Sequence, residues 1–351
     1  MENSYSFDIG LPTVPSEIVQ LFLRESDLHL VAHLRGDADS ASVFPLAAAL
    51  RKLGKRVVCV HDVPAHLDWL IPADARENVE EVPESTTVVA VDTGNYSRLA
   101  FRGSLREKIK KLMHEHARED EITLEEWRDV RKIDAVIDHH VSNPGYGAIN
   151  WIDAKASSSS ELVTALIVQL ETETGQALLD EDLAWRLYTG IASDTEWFKR
   201  RAHSGSYAAA CYLEERFDID KDRIAQSLQS QSVGYFLLGA TLRQSFRLEN
   251  AVASAFLDAK SIEDHGVTPE EAALLIEDLE RLSARVSLLF VEIKPGEIRV
   301  RLRGRDVPII GLAKQFGGGG HTFRAGAVIH STDEMEKLLE EATRLANHEN
   351  E

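Results

Sequence analysis

The sequence predicts an α/β protein of two domains: an N-terminal domain on a parallel sheet and a smaller C-terminal α/β domain, joined by a helical linker. Three observations carry this expectation. The 351 residues are enough for two domains with cores of their own. In the first half, short apolar runs alternate with helical patterns, as in βαβ units. After a helical stretch, a second strand-and-helix pattern starts near Val252.

Residues 16–26 have amphipathic helical periodicity, and 28–33 read as a buried strand. A helix from about Ser40 to Leu53 ends at Gly54, a residue suited to a C-terminal cap. Apolar runs at 55–61, 86–92, 134–140 and 147–152 read as strands, and helices dominate from Ser158 to about Glu249. Between two of these strands, residues 105–132 form a charged, helix-compatible stretch. They predict a solvated surface insertion, with a lid or partner-binding element as the sharper alternative. The expected division is 1–204 for the first domain, 205–235 for the linker and 236–351 for the second domain. Within the last, a strand at 252–258 precedes a helix over 269–283. That helix opens with Thr268-Pro269-Glu270-Glu271, proline at a first helical position and acids in the first turn. Strands 286–293 and 297–303 flank the turn Pro295-Gly296. Helix 308–316, strand 325–330 and an acidic terminal helix follow.

A net charge of -19, from 58 acidic and 39 basic residues, argues against broad adhesion to nucleic acid or anionic membrane, and so against long polynucleotides as substrates. Cys59 and Cys211 stand in apolar settings and read as buried thiols outside any disulfide framework, as in a reducing compartment. Met1 to Pro15 lacks the basic and apolar regions of a secretory signal, and no apolar stretch reaches membrane-spanning length. The expectation is a cytoplasmic protein with no membrane partner.

Four apolar runs end in a carboxylate or imidazole. Leu28 to Ala32 leads into His33, Asp37 and Asp39; Val88 to Val91 into Asp92; Ala135 to Ile137 into Asp138-His139-His140; and Thr189 to Ser193 into Asp194. Strand ends of an open parallel sheet share one edge, where ligands bind, so the repetition predicts one convergent cluster. Imidazoles and carboxylates without thiolates suit Mn²⁺ or Mg²⁺. Six donors (His33, Asp37, Asp39, Asp92, His139 and Asp194) exceed what one small ion takes and suit a pair sharing a carboxylate. Taken singly, Asp37 reads equally well as a helix cap, Asp92 as a turn residue, Asp194 as a helix end, and His139 and His140 as satisfied polar groups.

Arg299, Arg301 and Arg303 alternate with Ile298, Val300 and Leu302, which places three guanidinium groups on one face of a strand. From Arg281 to His330, nine Lys or Arg stand against three Asp or Glu, a local reversal that suggests a focused anion site. A solvated edge strand protected by charge is the alternative. Gly317, Gly318, Gly319 and Gly320 form either a flexible turn or a nest of backbone N–H groups for a phosphate, with His321 as a further donor.

The ordered set His33-x-x-x-Asp37-x-Asp39, Asp92, Asp138-His139-His140 and Asp194 resembles the four motifs of the DHH phosphoesterases. Arg301-Leu302-Arg303-Gly304 and Gly317 to His321, with Ala325-Gly326, resemble the DHHA1 domain, and the likeness spans about residues 16–330. The resemblance implies two Mn²⁺ (or Mg²⁺) ions. His33, Asp37 and Asp92 would hold one, and Asp39, Asp92, His139 and Asp194 the other, with Asp92 bridging. It implies a catalytic set of Asp92, Asp138 as a carboxylate orienting a ligand, and His140 facing the scissile phosphate. Ser157 to Glu161 would shape the site. Substrate would be bound by Arg303, the best match to the family's arginine, with Arg301, Gly317, Gly318, Gly319, Gly320 and His321. Two departures stand out: Arg324 where the family usually carries a small residue, and Glu196 where glycine is common.

The implied function is hydrolysis of short oligonucleotides or dinucleotides such as pApA by water activated between the two ions, as in the compact oligoribonuclease and 3′-phosphoadenosine-5′-phosphate phosphatase group. The implied partners are short single-stranded RNA or DNA, with a homodimer left open. A RecJ-like single-strand exonuclease and a cyclic-di-AMP phosphodiesterase are the nearest alternatives, and a non-catalytic nucleotide-binding regulator is the remoter one. Phe198 and Phe323 are candidates for stacking on a base, a role rarer than packing.

Overall fold

The computed structural model describes residues 10–75, 79, 81–116 and 119–347. The first nine residues of the stretch read as lacking a secretory signal lie outside them. The chain forms two compact units, residues 1–228 and 229–351.

The first unit begins α1 (Ser16–Arg24), β1 (Asp27–Val31), α2 (Val43–Lys52), β2 (Arg56–Val60) and β3 (Thr87–Val91). It continues with α3 (Gly103–Glu115), α4 (Leu124–Val130), β4 (Ala135–Asp138) and β5 (Ile149–Ile152). The helices α5 (Ser159–Thr174), α6 (Glu181–Asp194), α7 (Ser204–Arg216) and α8 (Lys221–Gln229) follow. Its strands form a sheet in the order β2-β1-β3-β4-β5, every neighbouring pair parallel. Side chains alternate across a strand, so each strand feeds two cores. Leu28, Leu30, Val89, Val91, Ala135 and Ile137 join the core under α1, α2, α5 and α6; Val31, Val88, Ala90 and Val136 join the core on the other face.

That second face is covered by the charged stretch expected as a solvated insertion. Leu105 and Ile109, four residues apart on α3, are buried with Ile122 and Trp127, while Glu107, Lys108, Lys110 and Lys111 face water. The segment is thus one of the two layers flanking the sheet; its charge marks only its outer side. A capping box between Thr123 and Glu126 starts α4.

The stretch expected as a linker divides between the units. Ala209, Ala210, Tyr212, Leu213 and Ile224 are buried in the first core, whereas Leu238 and Leu242 belong to the second unit. Cys59 is buried as expected, but Cys211 is exposed on α7. Among the described residues, no helix is long and apolar enough to cross a membrane.

The second unit begins α9 (Val233–Ser245), β6 (Arg247–Glu249), β7 (Val252–Leu257), α10 (Ala259–Asp264), α11 (Pro269–Ala272) and α12 (Ile276–Glu280). It ends β8 (Val286–Lys294), β9 (Glu297–Gly304), α13 (Ile310–Gln315), β10 (Gly319–His321), β11 (Arg324–Ile329) and α14 (Thr332–Asn347). Its sheet runs β10-β11-β9-β8-β7-β6, with β7 and β8 parallel and the other pairs antiparallel. The helix expected over 269–283 is broken by a 3₁₀ turn at Ala273–Leu275. The turn brings Ala272, Ala273, Leu275, Ile276 and Leu279 into one core, more apolar positions than a single α-helical stripe presents.

Candidate metal centre

Parallel pairing sets the carboxyl ends of β1, β3 and β4 along one edge. His33 follows β1 and is fixed by a bridge to Leu99. Its Nδ1–H donates to the Leu34 carbonyl at 2.9 Å, which turns Nε2 toward Asp37 Oδ2 at 3.7 Å and Asp92 Oδ2 at 3.5 Å. Asp37 does cap the following turn, its Oδ1 accepting from the N–H groups of Asp39 (3.1 Å) and Ser40 (3.0 Å), but Oδ2 still points at His33. Asp92 comes directly after β3 with φ of +57°, its N–H donating to the Ile137 carbonyl at 2.9 Å.

His139 Nε2 lies 3.5 Å from Asp92 Oδ1, 3.5 Å from Asp194 Oδ2 and 3.8 Å from Asp39 Oδ2. Asp194 reaches this point from the last turn of α6, so the fourth apolar run is a helix end and not a strand end. Leu187, Tyr188, Ile191 and Ala192 bury at helical spacing there. Asp39 sits under the N-terminus of α5, its Oδ2 accepting from Ser159 N–H (2.6 Å) and its Oδ1 from Ser160 N–H (2.8 Å). Ser159 Oγ–H donates to Asp92 Oδ1 at 3.1 Å. This approach needs Gly190 on α6, because a Cβ there would strike Ser160 Oγ and Asp39 Oδ1. His140 Nδ1 is 2.7 Å from Asp138 Oδ1, and Asn143 Nδ2–H donates to Asp138 Oδ2 (2.6 Å) and to the Thr93 carbonyl (3.1 Å). Asp138 therefore orients His140.

The donors form three tight groups: His33, Asp37 and Asp92; Asp39, His139 and Asp194; and Asp92, Asp138, His139 and His140. Asp92 is common to the first and third, and His139 to the second and third. Burial pushes Asp39 up to about 7, with the Asp92 charge adding to the rise, and burial likewise holds Asp194 well above the ordinary carboxylate range. Burial opposes charge on the imidazoles too, but Asp37 and Asp92 override it and push His33 up to about 11. Asp92, with Asp39, similarly pushes His139 up to about 9. Asp92 itself is driven well below its usual range, its burial outweighed by His33 and His139.

A divalent cation fits this arrangement. The donors are hard or borderline and include no thiolate. Asp92 Oδ2 is buried without a hydrogen-bond partner. The 3.5–3.8 Å spacings are too long for hydrogen bonds and suit neighbouring ligands on one small ion. An uncompensated buried carboxylate is costly, and a cation offsets that cost.

Sequence reasoning missed Asn143, whose only signal is its place before the turn residues Pro144-Gly145. It also missed His203, the N-cap of α7, whose Nε2 lies 3.1 Å from the fully buried Glu161 Oε1. Glu161 Oε2 in turn accepts from the Ser157 N–H (3.1 Å) and Oγ–H (2.9 Å). The departure Glu196 begins three consecutive left-handed residues, Glu196, Trp197 and Phe198, with φ of +46°, +59° and +60°. Such conformations cost about 1–3 kcal/mol each and concentrate at functional sites.

In the second unit, Ile298, Val300 and Leu302 enter the core beside α13 and α14, and Arg299, Arg301 and Arg303 line the opposite face. Arg303 Nε lies 3.4 Å from Glu280 Oε2, and Arg324, opposite Arg303 in the ladder, lies 3.3 Å from Glu280 Oε1. Burial lowers the Arg303 pKa, with Arg324 and Arg301 adding to the fall and Glu280 opposing it. Arg299 pairs with Glu270 at 3.1 Å. Arg301 faces Gly326 across the ladder and, with Gly317 and Gly318, lines a hollow of about 620 Å³.

Two N–H groups of the glycine run are engaged within the chain. Gly318 N–H donates to the Ala313 carbonyl (2.9 Å) and Gly317 N–H to the Lys314 carbonyl (3.1 Å), a Schellman cap closing α13 with Gly317 at φ +69°. Gly319 to His321 then pair with β11. A Cβ at Gly318 would strike the Gly326 carbonyl, and one at Gly320 would meet the Ala325 backbone. Helix ending and strand packing account for these glycines.

The sequence model of the DHH family, N-terminal domain, matches residues 28–191, and that of the DHHA1 domain matches residues 249–348. The bifunctional oligoribonuclease and PAP phosphatase NrnA of Bacillus subtilis is 28% identical over 92% of this chain and 96% of its own. The protein of the same name from Thermus thermophilus is 24% identical over 91% of each chain. An exopolyphosphatase-related protein from Bacteroides fragilis superposes with a TM-score of 0.76 at 19% identity, over 94% of this chain and 95% of that one. At that identity the likeness is one of fold.

Proposed function

From the premise that this chain belongs to the DHH family and carries a DHHA1 domain, we propose that it is a divalent-metal-dependent phosphoesterase acting on short oligoribonucleotides and 3′-phosphoadenosine-5′-phosphate. The observation that carries the reading is the convergence of His33, Asp37, Asp39, Asp92, His139 and Asp194 on one edge, with Asp92 between two groups of donors.

In this reading the six donors would hold a pair of divalent ions such as Mn²⁺, with Asp92 available to both. Bound there, such a pair lowers the pKa of water and stabilises charge on the phosphoryl group. The chain's own part is positioning. Ser159 and Ser160 hold Asp39 from behind through two backbone N–H groups, so its oxygens keep one orientation. Asp138, itself held by Asn143, takes the Nδ1 proton of His140 as a hydrogen bond and turns Nε2 outward. His140 has its pKa raised: burial opposes the charge, but Asp138 outweighs it. Nε2 is the ring atom left to face a phosphate oxygen, and the raised pKa favours the protonated, donating form of the ring. The second unit carries Arg301 and Arg303 on one strand face, cations of a kind that bind phosphate.

The test is Mn²⁺-dependent turnover on 5′-phosphorylated RNA of increasing length, on cyclic di-AMP and on 3′-phosphoadenosine-5′-phosphate. Phosphate release from the bisphosphate and fastest cleavage of the shortest RNA are expected. Processive degradation of long RNA would move the function to a RecJ-like exonuclease. Absence of hydrolysis on every substrate would leave a nucleotide-binding regulator.

A further inference from the structure

Beside the metal donors lies a basic and aromatic shelf that the proposed reaction does not use. Lys199-Arg200-Arg201 is the only run of three basic residues in a chain of net charge -19, and it follows Asp194 closely. All three residues are exposed. Arg200 pairs with Glu196, Nε to Oε2 at 3.1 Å, while Lys199 and Arg201 extend into solvent. Arg201 follows Asp194 by seven residues in the chain.

Two aromatic rings continue the shelf. Phe198 and Tyr207 stack with centroids 5.3 Å apart and planes 21° from parallel. Phe198 is wedged from another side by Tyr188, edge-on at 6.2 Å. Tyr207 is 53% exposed, so the face it turns away from Phe198 is open to water. The left-handed run Glu196-Trp197-Phe198 reverses the chain immediately after Asp194 and brings Phe198 beneath Tyr207.

The shelf is anchored to the centre. Ser206, next to Tyr207, donates its Oγ–H to Ser157 Oγ at 2.9 Å, and His203 reaches Glu161 at 3.1 Å. Ser157 and Glu161 belong to the same turn whose Ser159 and Ser160 hold Asp39. Tyr207 and the metal donors are thus fixed to one piece of backbone.

We propose that this shelf binds a second nucleotide of a short single strand whose scissile phosphate lies at the metal donors. Its base stacks on the open face of Tyr207, and its phosphate is held by Lys199 and Arg201. Stacking on an aromatic ring accepts any base, and exposed cations bind phosphate without reading sequence, so the shelf recognises length and not composition. The inference rests on the phosphoesterase reading above.

The experiment compares kcat/KM on 3′-phosphoadenosine-5′-phosphate with kcat/KM on 5′-phosphorylated di- and trinucleotide RNA, using the full chain with Mn²⁺. The variants are Tyr207→Ala, Tyr207→Phe and the double variant Lys199→Ala with Arg201→Ala. Tyr207→Ala should lose about tenfold more on the RNAs than on the bisphosphate, through KM, and Tyr207→Phe should restore the ratio. The double variant should lose on the RNAs likewise and show a shallower dependence on salt. An equal loss on all substrates, or unchanged RNA kinetics, overturns the shelf. A wild-type protein that hydrolyses none of them overturns the phosphoesterase reading itself, and the shelf with it.

Discussion

In the first unit, the polar residues that end β1, β3 and β4 keep donor atoms directed at one another across 3.5–3.8 Å, and Asp92 Oδ2 has no hydrogen-bond partner. In the second unit, most residues with a strong sequence signal are already engaged: Arg324 with Glu280, Arg299 with Glu270, and the N–H groups of Gly317 and Gly318 with the end of α13, while Arg303 Nε is buried without a hydrogen-bond partner, 3.4 Å from Glu280 Oε2. The difference teaches how to weigh a motif. Buried donors with nothing to donate to, or crowded beyond mutual tolerance, call for a ligand. Charges and N–H groups with intramolecular partners serve the fold first, and a ligand must compete for them.

The contrast breaks if Asp92→Asn leaves the centre working. Asparagine tolerates the left-handed backbone at this position and keeps the shape while removing the charge. Turnover should fall about a thousandfold, the equivalent of several kcal/mol of lost charge stabilisation, with the circular dichroism spectrum retained. A fall of less than about tenfold would mean that Asp92 is not the shared ligand.

Protons and cations compete for the same atoms. His33 at about 11 and His139 at about 9 carry protons at neutral pH in the metal-free protein. Cation binding must displace them, so Mn²⁺ affinity should weaken as pH falls, by about tenfold per pH unit for each proton displaced. Calorimetry in buffers of different ionisation enthalpy measures the protons released. No release near pH 7 would contradict the assignment of these imidazoles as ligands.

Asn143→Ala should lower kcat by about 10–100-fold, because Asp138 loses one of the contacts that fix His140. Shallower dependence of kcat on pH in this variant would tie the loss to His140; an unchanged profile and rate would show that the contact is structural only.

Two variants sharpen the comparison from the side of the second unit. Arg303→Ala should raise KM about tenfold, as expected for losing a charge-assisted hydrogen bond of about 1.5–3 kcal/mol, with kcat little changed. A loss of stability without any change in KM would mean that Arg303 serves only Glu280. Gly317→Ala should cost about 1 kcal/mol of stability, read as a shift in denaturant midpoint, because alanine strains the left-handed cap. Weaker phosphate binding at full stability would restore the nest reading.

Much of the first unit was legible because parallel strands print themselves as apolar runs with polar ends. Leu28 to Ala32 and Ala135 to Ile137 announce both the strand and the edge it opens on. Asp194 was found for an incomplete reason. The run before it is helical, and only the fold turns that helix end toward His139. The sheet-covering role of Leu105, Ile109 and Trp127 was hidden because the charges between them dominate the local composition. Asn143 and His203 were illegible because their partners, Asp138 and Glu161, come within reach only through tertiary packing and local turns. In the second unit the alternation of Arg299 to Arg303 gave the strand and its faces correctly. Glu280, which pairs with Arg303 from α12, has no sequence signal linking it to that strand.

The most direct test of the shared-ligand centre is electron paramagnetic resonance of the metal-free protein titrated with Mn²⁺. Two ions bridged by Asp92 should give a spin-coupled spectrum that grows to two equivalents per chain, and Asp92→Asn should abolish the coupling. A spectrum of isolated Mn²⁺ that saturates at one equivalent, unchanged in the variant, would contradict the account.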